Sequence, residues 1–290
     1  MKGGGLGRAL PWLAVLAAAL VLGALALAMR PWEPAAYEEP EDPTVLVNDG
    51  ANWVPIVPAE GVPVSTLQPS DFSADGDVIR YTDSDLVALQ GIDVSEFQGE
   101  IDWQQVKDSG VEFAFLRIGF RGSTEGLLNE DALFRANLEG AQEAGVTVGV
   151  YFFSQALDTR EAEEEAQFVL ELLDGFVPPL PVMFDWEPVE TEGSRSLAMG
   201  GDTLTACAAA FCDTLKRAGY TAGVYCNRQQ GYYLYDLAKL APYALWISDP
   251  NDYPDFYYAF QYWQYSFTGA VPGIDTVVDR DMTLLPIADD

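Results

Sequence analysis

The chain of 290 residues contains no histidine. That absence excludes Ser-His-Asp and Cys-His catalysis and every histidine-ligated metal site. Basic residues are scarce too: 15 Lys and Arg stand against 45 Asp and Glu, a formal net charge of −30. A surface that acidic repels nucleic-acid phosphates, so nucleic acid is not an expected partner. Cysteine is limited to Cys207, Cys212 and Cys226. Cys207 and Cys212 sit too far around an expected helix for a bridge, whereas Cys212 and Cys226 approach if that helix packs on the next strand. The odd count leaves a thiol free unless two chains pair, and the spacing fits no metal site. Small buried apolar side chains are the expected role. Acid–base work therefore falls to Asp, Glu, Tyr, Lys or Cys, of which the carboxylates are by far the most numerous. No metal or organic cofactor is implied.

Among the features present, the run from Ala9 to Met29 is apolar over 21 residues, broken only by Pro11 and Gly23. At helical rise it spans about 31 Å, enough to cross a bilayer core. It is longer than the roughly 7–15 residues of a signal-peptide apolar region. Lys2 and Arg8 precede it, so residues 1–8 are expected to be cytoplasmic and the bulk of the chain extracytoplasmic. The membrane is thus an expected partner, through a helix at 9–29. Secretion after signal cleavage is the alternative, because Ala26-Leu27-Ala28 resembles a small-residue cleavage site. Residues 30–89 are expected to form a linker or a small collar. Pro31, Pro34, Pro40 and Pro43 among acids favour an extended spacer. Thr44–Val47 and Trp53–Val57 look like short strands around the turn signal Asn48-Asp49-Gly50.

From Gly91 onward the pattern is regular. Strands are expected at Gly91–Val94, Phe113–Gly119, Thr147–Phe153, Pro181–Glu187 and Thr221–Cys226. Helices are expected after Asp102, at Asn129–Ala144, at Arg160–Leu173 and at Thr203–Ala218. Tyr243–Ser248, Ala259–Tyr265 and Thr276–Asp279 add three strands with short connections. The pattern predicts an α/β fold over residues 90–290, a parallel barrel of eight strands whose last part lacks full helices. The active site of such a barrel lies at the C-terminal ends of its strands.

The segment Pro181-Val182-Met183-Phe184-Asp185-Trp186-Glu187 is the most informative. It is an apolar strand that turns acidic only at its end. Asp185 and Glu187 are two apart, so they face one side with Cα atoms roughly 6.6 Å apart. Two carboxylates that close repel, and one pKa rises. A carboxyl protonated near neutrality can serve as a general acid. Asp93 in the first strand, Asp249 after the sixth and Asp279 ending the eighth are expected on the same rim. Tyr151, Phe153, Tyr225, Trp246, Trp263 and Tyr265 accompany them, and aromatic faces pack against sugar rings. Acids and aromatics on one rim, with carboxylate as the base, fit glycosidase chemistry.

Gly91-Ile92-Asp93-Val94-Ser95-Glu96-Phe97-Gln98-Gly99, followed by Ile101-Asp102-Trp103, resembles the opening signature of the family 25 glycoside hydrolases, the Chalaropsis-type lysozymes. The similarity runs on through Phe115-Leu116-Arg117-Ile118-Gly119, Gly149-Val150-Tyr151, Asp185-Trp186-Glu187, Val224-Tyr225, Leu245-Trp246-Ile247, Trp263-Gln264-Tyr265 and Val278-Asp279. It implies an irregular TIM-like barrel with five β/α units followed by three strands. It also implies an N-acetylmuramidase that cuts the β-1,4 bond from N-acetylmuramic acid to N-acetylglucosamine in peptidoglycan glycan strands. Glu187 would be the general acid, and Asp93, Asp185 and Asp279 the other active-site carboxylates. Tyr151, Phe153, Tyr225, Trp246, Trp263 and Gln264 would bind substrate. Three places depart from the family pattern. Tyr151-Phe152-Phe153 replaces the frequent Tyr-His-Phe. Ser248-Asp249-Pro250 ends the sixth strand where Ala is usual. Val278-Asp279-Arg280-Asp281 replaces the frequent Val-Asp-Leu-Asn. The altered rim keeps two other readings open: a non-catalytic glycan-binding protein of the cell envelope, and a structural envelope protein that holds a partner through residues 44–88.

Overall fold

The computed structural model describes residues 44–287; the expected membrane anchor at 9–29 and the proline-rich segment 31–43 lie outside the described residues. Eight strands close into a barrel. In chain order they are Gln90–Val94, Phe113–Arg121, Thr147–Ser154, Val182–Trp186, Ala222–Asn227, Ala244–Ser248, Tyr262–Gly269 and Val278–Thr283. Each pairs with the next, and the eighth pairs with the first to close the ring. Side chains alternate across the wall. On the fourth strand Val182 and Phe184 face the helices, while Met183 joins the interior cluster. The interior is filled by Phe113, Phe115, Tyr151, Met183, Trp246 and Tyr262, with the Phe115 and Trp246 rings stacked at 4.6 Å. Gly91 makes room for this plug: a Cβ there would lie 2.2 Å from the Phe113 ring.

The eighth strand corrects the expectation of an all-parallel barrel, because it runs antiparallel to both neighbours. Parallel return needs a crossover of about a dozen residues or more. The connection from Asp249 to Gln261 has that length, and the sixth and seventh strands are parallel. The shorter connection from Gly269 to Val278 holds no helix and turns the chain straight back. Asp279 therefore lies at the start of its strand, not at the end. Since that strand is reversed, its start falls on the rim where the others finish, and Asp279 pairs in register with Asp93.

Helices at Trp103–Asp108, Phe134–Glu143, Thr159–Leu173 and Gly201–Arg217 cover the first half of the barrel, and only the short helices Arg228–Tyr233 and Leu237–Leu240 follow. Asp102 caps the first of these, accepting from the Gln105 amide at 3.0 Å. The second begins at Phe134, later than expected, because Leu128–Glu130 is drawn into a strand beside Gly119–Arg121. All three cysteines are free and buried.

Residues 44–89 carry two hairpins, Val45–Asn48 with Trp53–Ile56 and Phe72–Asp75 with Val78–Tyr81. The second packs on the barrel wall: Phe72 meets Trp263 edge-on at 5.4 Å, and Arg280 reaches Asp77 at 3.1 Å. The first is tied by the Tyr233 hydroxyl, which donates to Asp49 at 2.8 Å.

Candidate active site

A cleft of about 880 Å³ opens on the rim where the seven parallel strands end. Asp93, Asp185, Glu187 and Asp279 all line it. Four distant segments of the chain thus bring their acids to one hollow. Alternation places Asp185 on the inner face with Met183, and Glu187 follows directly beyond the strand. The backbone here is pinned from both sides. The Gln155 side-chain amide donates to the Glu187 carbonyl at 2.9 Å, and that of Gln230 to the Trp186 carbonyl at 2.9 Å.

Gln264 organises the opposite wall. Its Nε2 donates to Asp93 Oδ2 at 2.8 Å and to Asp279 Oδ2 at 3.2 Å. The Tyr225 hydroxyl donates to Gln264 Oε1 at 2.8 Å and so fixes which end of the amide faces the acids. Trp246 lies beneath, its Nε1 donating to Asp281 Oδ1 at 2.8 Å. Tyr151 and Phe153 line the cleft from the third strand.

Crowding of acids in a partly dry site favours their neutral forms. Burial, and then the charge of Asp279, raise the Glu187 carboxyl above the usual range. Burial and the charge of Glu187 raise Asp185 well above it, against the opposing pull of Arg117. Burial lifts Asp279 to about 6. Asp185 Oδ1 is buried without a hydrogen-bond partner, a position that suits an uncharged carboxyl.

Three expected rim residues lie elsewhere, and one of them, Tyr265, turns its hydroxyl to Gln90 Oε1 at 2.8 Å outside the cleft. Trp263 does not line the cleft: its ring packs outward against Phe72 and Tyr265, and its indole N–H donates to the Asp249 carbonyl at 2.7 Å. Gln264 takes the inward position, and the adjacent residue must point out. Asp249 is buried and turns to the Arg228 guanidinium at 3.3 Å, away from the cleft.

Other lining residues escaped the sequence reading. Arg117 continues the inward series of Phe113 and Phe115, so period-two alternation could have found it. Its guanidinium donates to Asp131 at 2.7 Å and to Glu96 at 3.2 Å. It lies between the rings of Phe97 at 4.7 Å and Phe120 at 5.2 Å, and Phe97 remains largely exposed at the cleft edge. Asp281, two residues beyond Asp279, carried the same signal and lies buried behind the lining rather than in it. Among the described residues no group of three or more Cys, Asp or Glu is arranged to hold a metal ion.

The family model described as "Glycosyl hydrolases family 25" matches residues 92–274. Lysozyme M1 of Streptomyces globisporus is 27% identical over 92% of this chain and 89% of its own length. The autolytic lysozyme of Clostridium acetobutylicum is 28% identical over 67% of this chain and 55% of its own. The modular autolysin LytC from Streptococcus pneumoniae superposes with a TM-score of 0.60 at 26% identity, covering 67% of this chain and 46% of that one. This chain therefore spans about half the length of the latter two. With the barrel, the four converging carboxylates and the match from Ile92 to Ile274 in hand, the chain belongs to the glycosyl hydrolases of family 25 and is a glycoside hydrolase of the lysozyme class.

Proposed function

We propose that the protein hydrolyses peptidoglycan at the β-1,4 bond between N-acetylmuramic acid and N-acetylglucosamine, with Glu187 as general acid. One observation carries this reading. Glu187 stands in the cleft opposite Asp93 and Asp279, beside Asp185, with its carboxyl held toward the protonated form by burial and by Asp279. A protonated carboxyl there delivers its proton to the glycosidic oxygen as the bond breaks. Positive charge then grows at the anomeric carbon, and the carboxylates around it stabilise that charge. Asp185 orients the 2-acetamido group of the sugar, whose oxygen attacks the anomeric carbon as the leaving sugar departs; water then opens that intermediate and returns a proton to Glu187. Phe153 and the exposed Phe97 offer ring faces to neighbouring sugars.

The lysozyme relatives support this substrate, as does the LytC structure in complex with a synthetic peptidoglycan ligand. The test is incubation of the protein with purified peptidoglycan and mass spectrometry of the products. Reducing muramic acid ends support the assignment; reducing glucosamine ends, or an unaltered rate in Glu187→Gln, refute it.

The apolar run 9–29 belongs to the same reading as an uncleaved anchor that leaves residues 30–89 and the barrel at 90–290 outside the cell. A full-length product in the membrane fraction supports this, and a product shortened after Ala28 refutes it.

A further inference from the structure

Asp281 lies beneath the cleft floor and is fully buried. It shares a face of the eighth strand with Asp279, and it stands in register with Gly91, over which the Phe113 ring lies. Its Oδ1 accepts from Trp246 Nε1 at 2.8 Å, while its Oδ2 has no donor. The charged and titratable groups facing it are acids: Asp93 from the first strand and Asp279 from its own. From the seventh strand Gln264 offers no free donor, because its Nε2 is spent on Asp93 and Asp279. Trp246 supplies the sixth strand's only contribution. Arg280, next in sequence, points outward to Asp77, and Arg117 is engaged by Asp131 and Glu96. Among the described residues no cation is left to neutralise Asp281.

The carboxyls of Asp281 and Asp93 lie within hydrogen-bonding reach. Two ionised carboxylates in that position repel in a dry interior, and the unpartnered oxygen stays unsatisfied. One proton between them removes both costs with a single O–H···O bond.

We propose that Asp281 is a positioning residue, which holds Asp93 in place through a proton shared between their two carboxyls. Asp93 is then fixed from two sides, by Gln264 on one oxygen and by Asp281. Burial and the neighbouring acid charges raise both carboxyls well above the usual range, so the proton persists well above the pH at which a free Asp loses it. When it leaves, Asp93 is pushed from its seat and the cleft floor loses its order. This rests on the reading of Asp93 as an active-site carboxylate, and it makes Asp281 a determinant of the alkaline limit of activity.

The test compares the parent with Asp281→Asn and Asp281→Leu. Asparagine keeps the acceptor for Trp246 and offers Asp93 an N–H that no pH removes. The alkaline limb of kcat/KM on peptidoglycan should move up by about one pH unit or more in Asp281→Asn, a roughly tenfold gain on the falling limb. Leucine can neither accept nor donate, so kcat should fall at every pH, and asparagine should restore it. Superposable pH profiles for parent and Asp281→Asn, or equal kcat in the leucine and asparagine variants, would overturn the proposal. A second readout needs no turnover: the Tm of the parent should fall more steeply than that of Asp281→Asn as pH rises through the acid range. If no variant cleaves glycan but the Tm curves separate, the enzymatic reading fails and the shared proton stands. If the Tm curves coincide, the shared proton fails.

Discussion

Gln264 donates from one nitrogen to both Asp93 and Asp279, and the Tyr225 hydroxyl locks the other end of its amide. A single neutral side chain thus holds two acids that would otherwise repel. Replacing it by leucine should remove their only shared donor. We expect kcat on peptidoglycan to fall about a hundredfold, in the range for loss of one preorganised donor, with KM changing less. Tyr225→Phe should give a milder loss, costing about 1 kcal/mol for one hydrogen bond. Steady-state kinetics on both variants check the order.

Asp279 raises the Glu187 carboxyl through its charge. If activity requires protonated Glu187, the rate falls as pH climbs through the pKa of that group. Asp279→Asn removes the charge, lowers that pKa, and should move the alkaline limb of the normalised pH profile downward. The shift is opposite in sign to the one expected for Asp281→Asn. Profiles of the two variants moving the same way would contradict the distinct roles given to the two acids.

Stability should follow the same acids. Asp93, Asp185, Asp279 and Asp281 all have raised carboxyls in the folded protein. A raised folded pKa means that the folded state binds more protons than the unfolded one, so stability falls with rising pH through that window. For Asp279 the window runs from 3.8, the ordinary aspartate value, to about 6. Chemical denaturation should therefore give a higher midpoint at about pH 5 than at about pH 8, a sign opposite to that of salt-bridged carboxylates. A midpoint that rises with pH would count against an unpaired acid cluster.

The acids were legible in the sequence because strand alternation is a local rule. Asp185 and Glu187 had to share a side, and the order of strands carried Asp93 and Asp279 to the same rim. The errors arose where tertiary partners decide. Trp263 and Gln264 are adjacent, so both could not face inward, and only the neighbouring strands determine which does. Asp249 lies past the end of its strand, where the Arg228 guanidinium captures it. The direction of the eighth strand follows from the short, helix-free connection between Gly269 and Val278, which was legible in the sequence but not weighed against the length a parallel return needs. Asp281 carried an alternation signal that was present but not followed.

Behind the cleft wall, Glu165 is buried and accepts from Arg121 Nε at 2.7 Å and from the Ser154 hydroxyl at 2.6 Å. Burial lifts its carboxyl to about 7. Arg121 lines the cleft and also donates to the Gly126 carbonyl at 2.9 Å, bracing the loop that follows the second strand. Glu165→Leu would take the buried carboxylate from Arg121, which keeps Glu164 at 3.5 Å and the carbonyls of Gly126 and Glu161, at a cost of about 3 kcal/mol, the low end for breaking a buried pair. In a domain of this size that corresponds to a Tm lowered by roughly 10 °C. Calorimetry should show that drop, and a higher KM on glycan should accompany it as the loop loosens.

The hairpin Phe72–Tyr81 makes a further stability argument. Phe72 covers the outer face of Trp263, Ile79 is buried, and Asp77 meets Arg280 on the eighth strand. Arg280 also donates to the Ala270 carbonyl at 2.7 Å, so Asp77 and Arg280 together brace the turn between the last two strands. Gln90 extends the same contact, its amide donating to the Ile79 carbonyl at 2.8 Å while its oxygen accepts from the Tyr265 hydroxyl at 2.8 Å. A fragment beginning at residue 90 would bare one indole and one guanidinium beside the strands that carry Gln264 and Asp279. Uncovering a large aromatic costs about 1.5–3 kcal/mol in burial alone. We therefore expect the 90–290 fragment to melt several degrees below the 44–290 fragment, by roughly 2–4 °C for each kcal/mol lost. Equal melting temperatures for the two fragments would reduce the hairpin to a passive spacer, whereas a lower one makes it part of the wall that holds the acids in place.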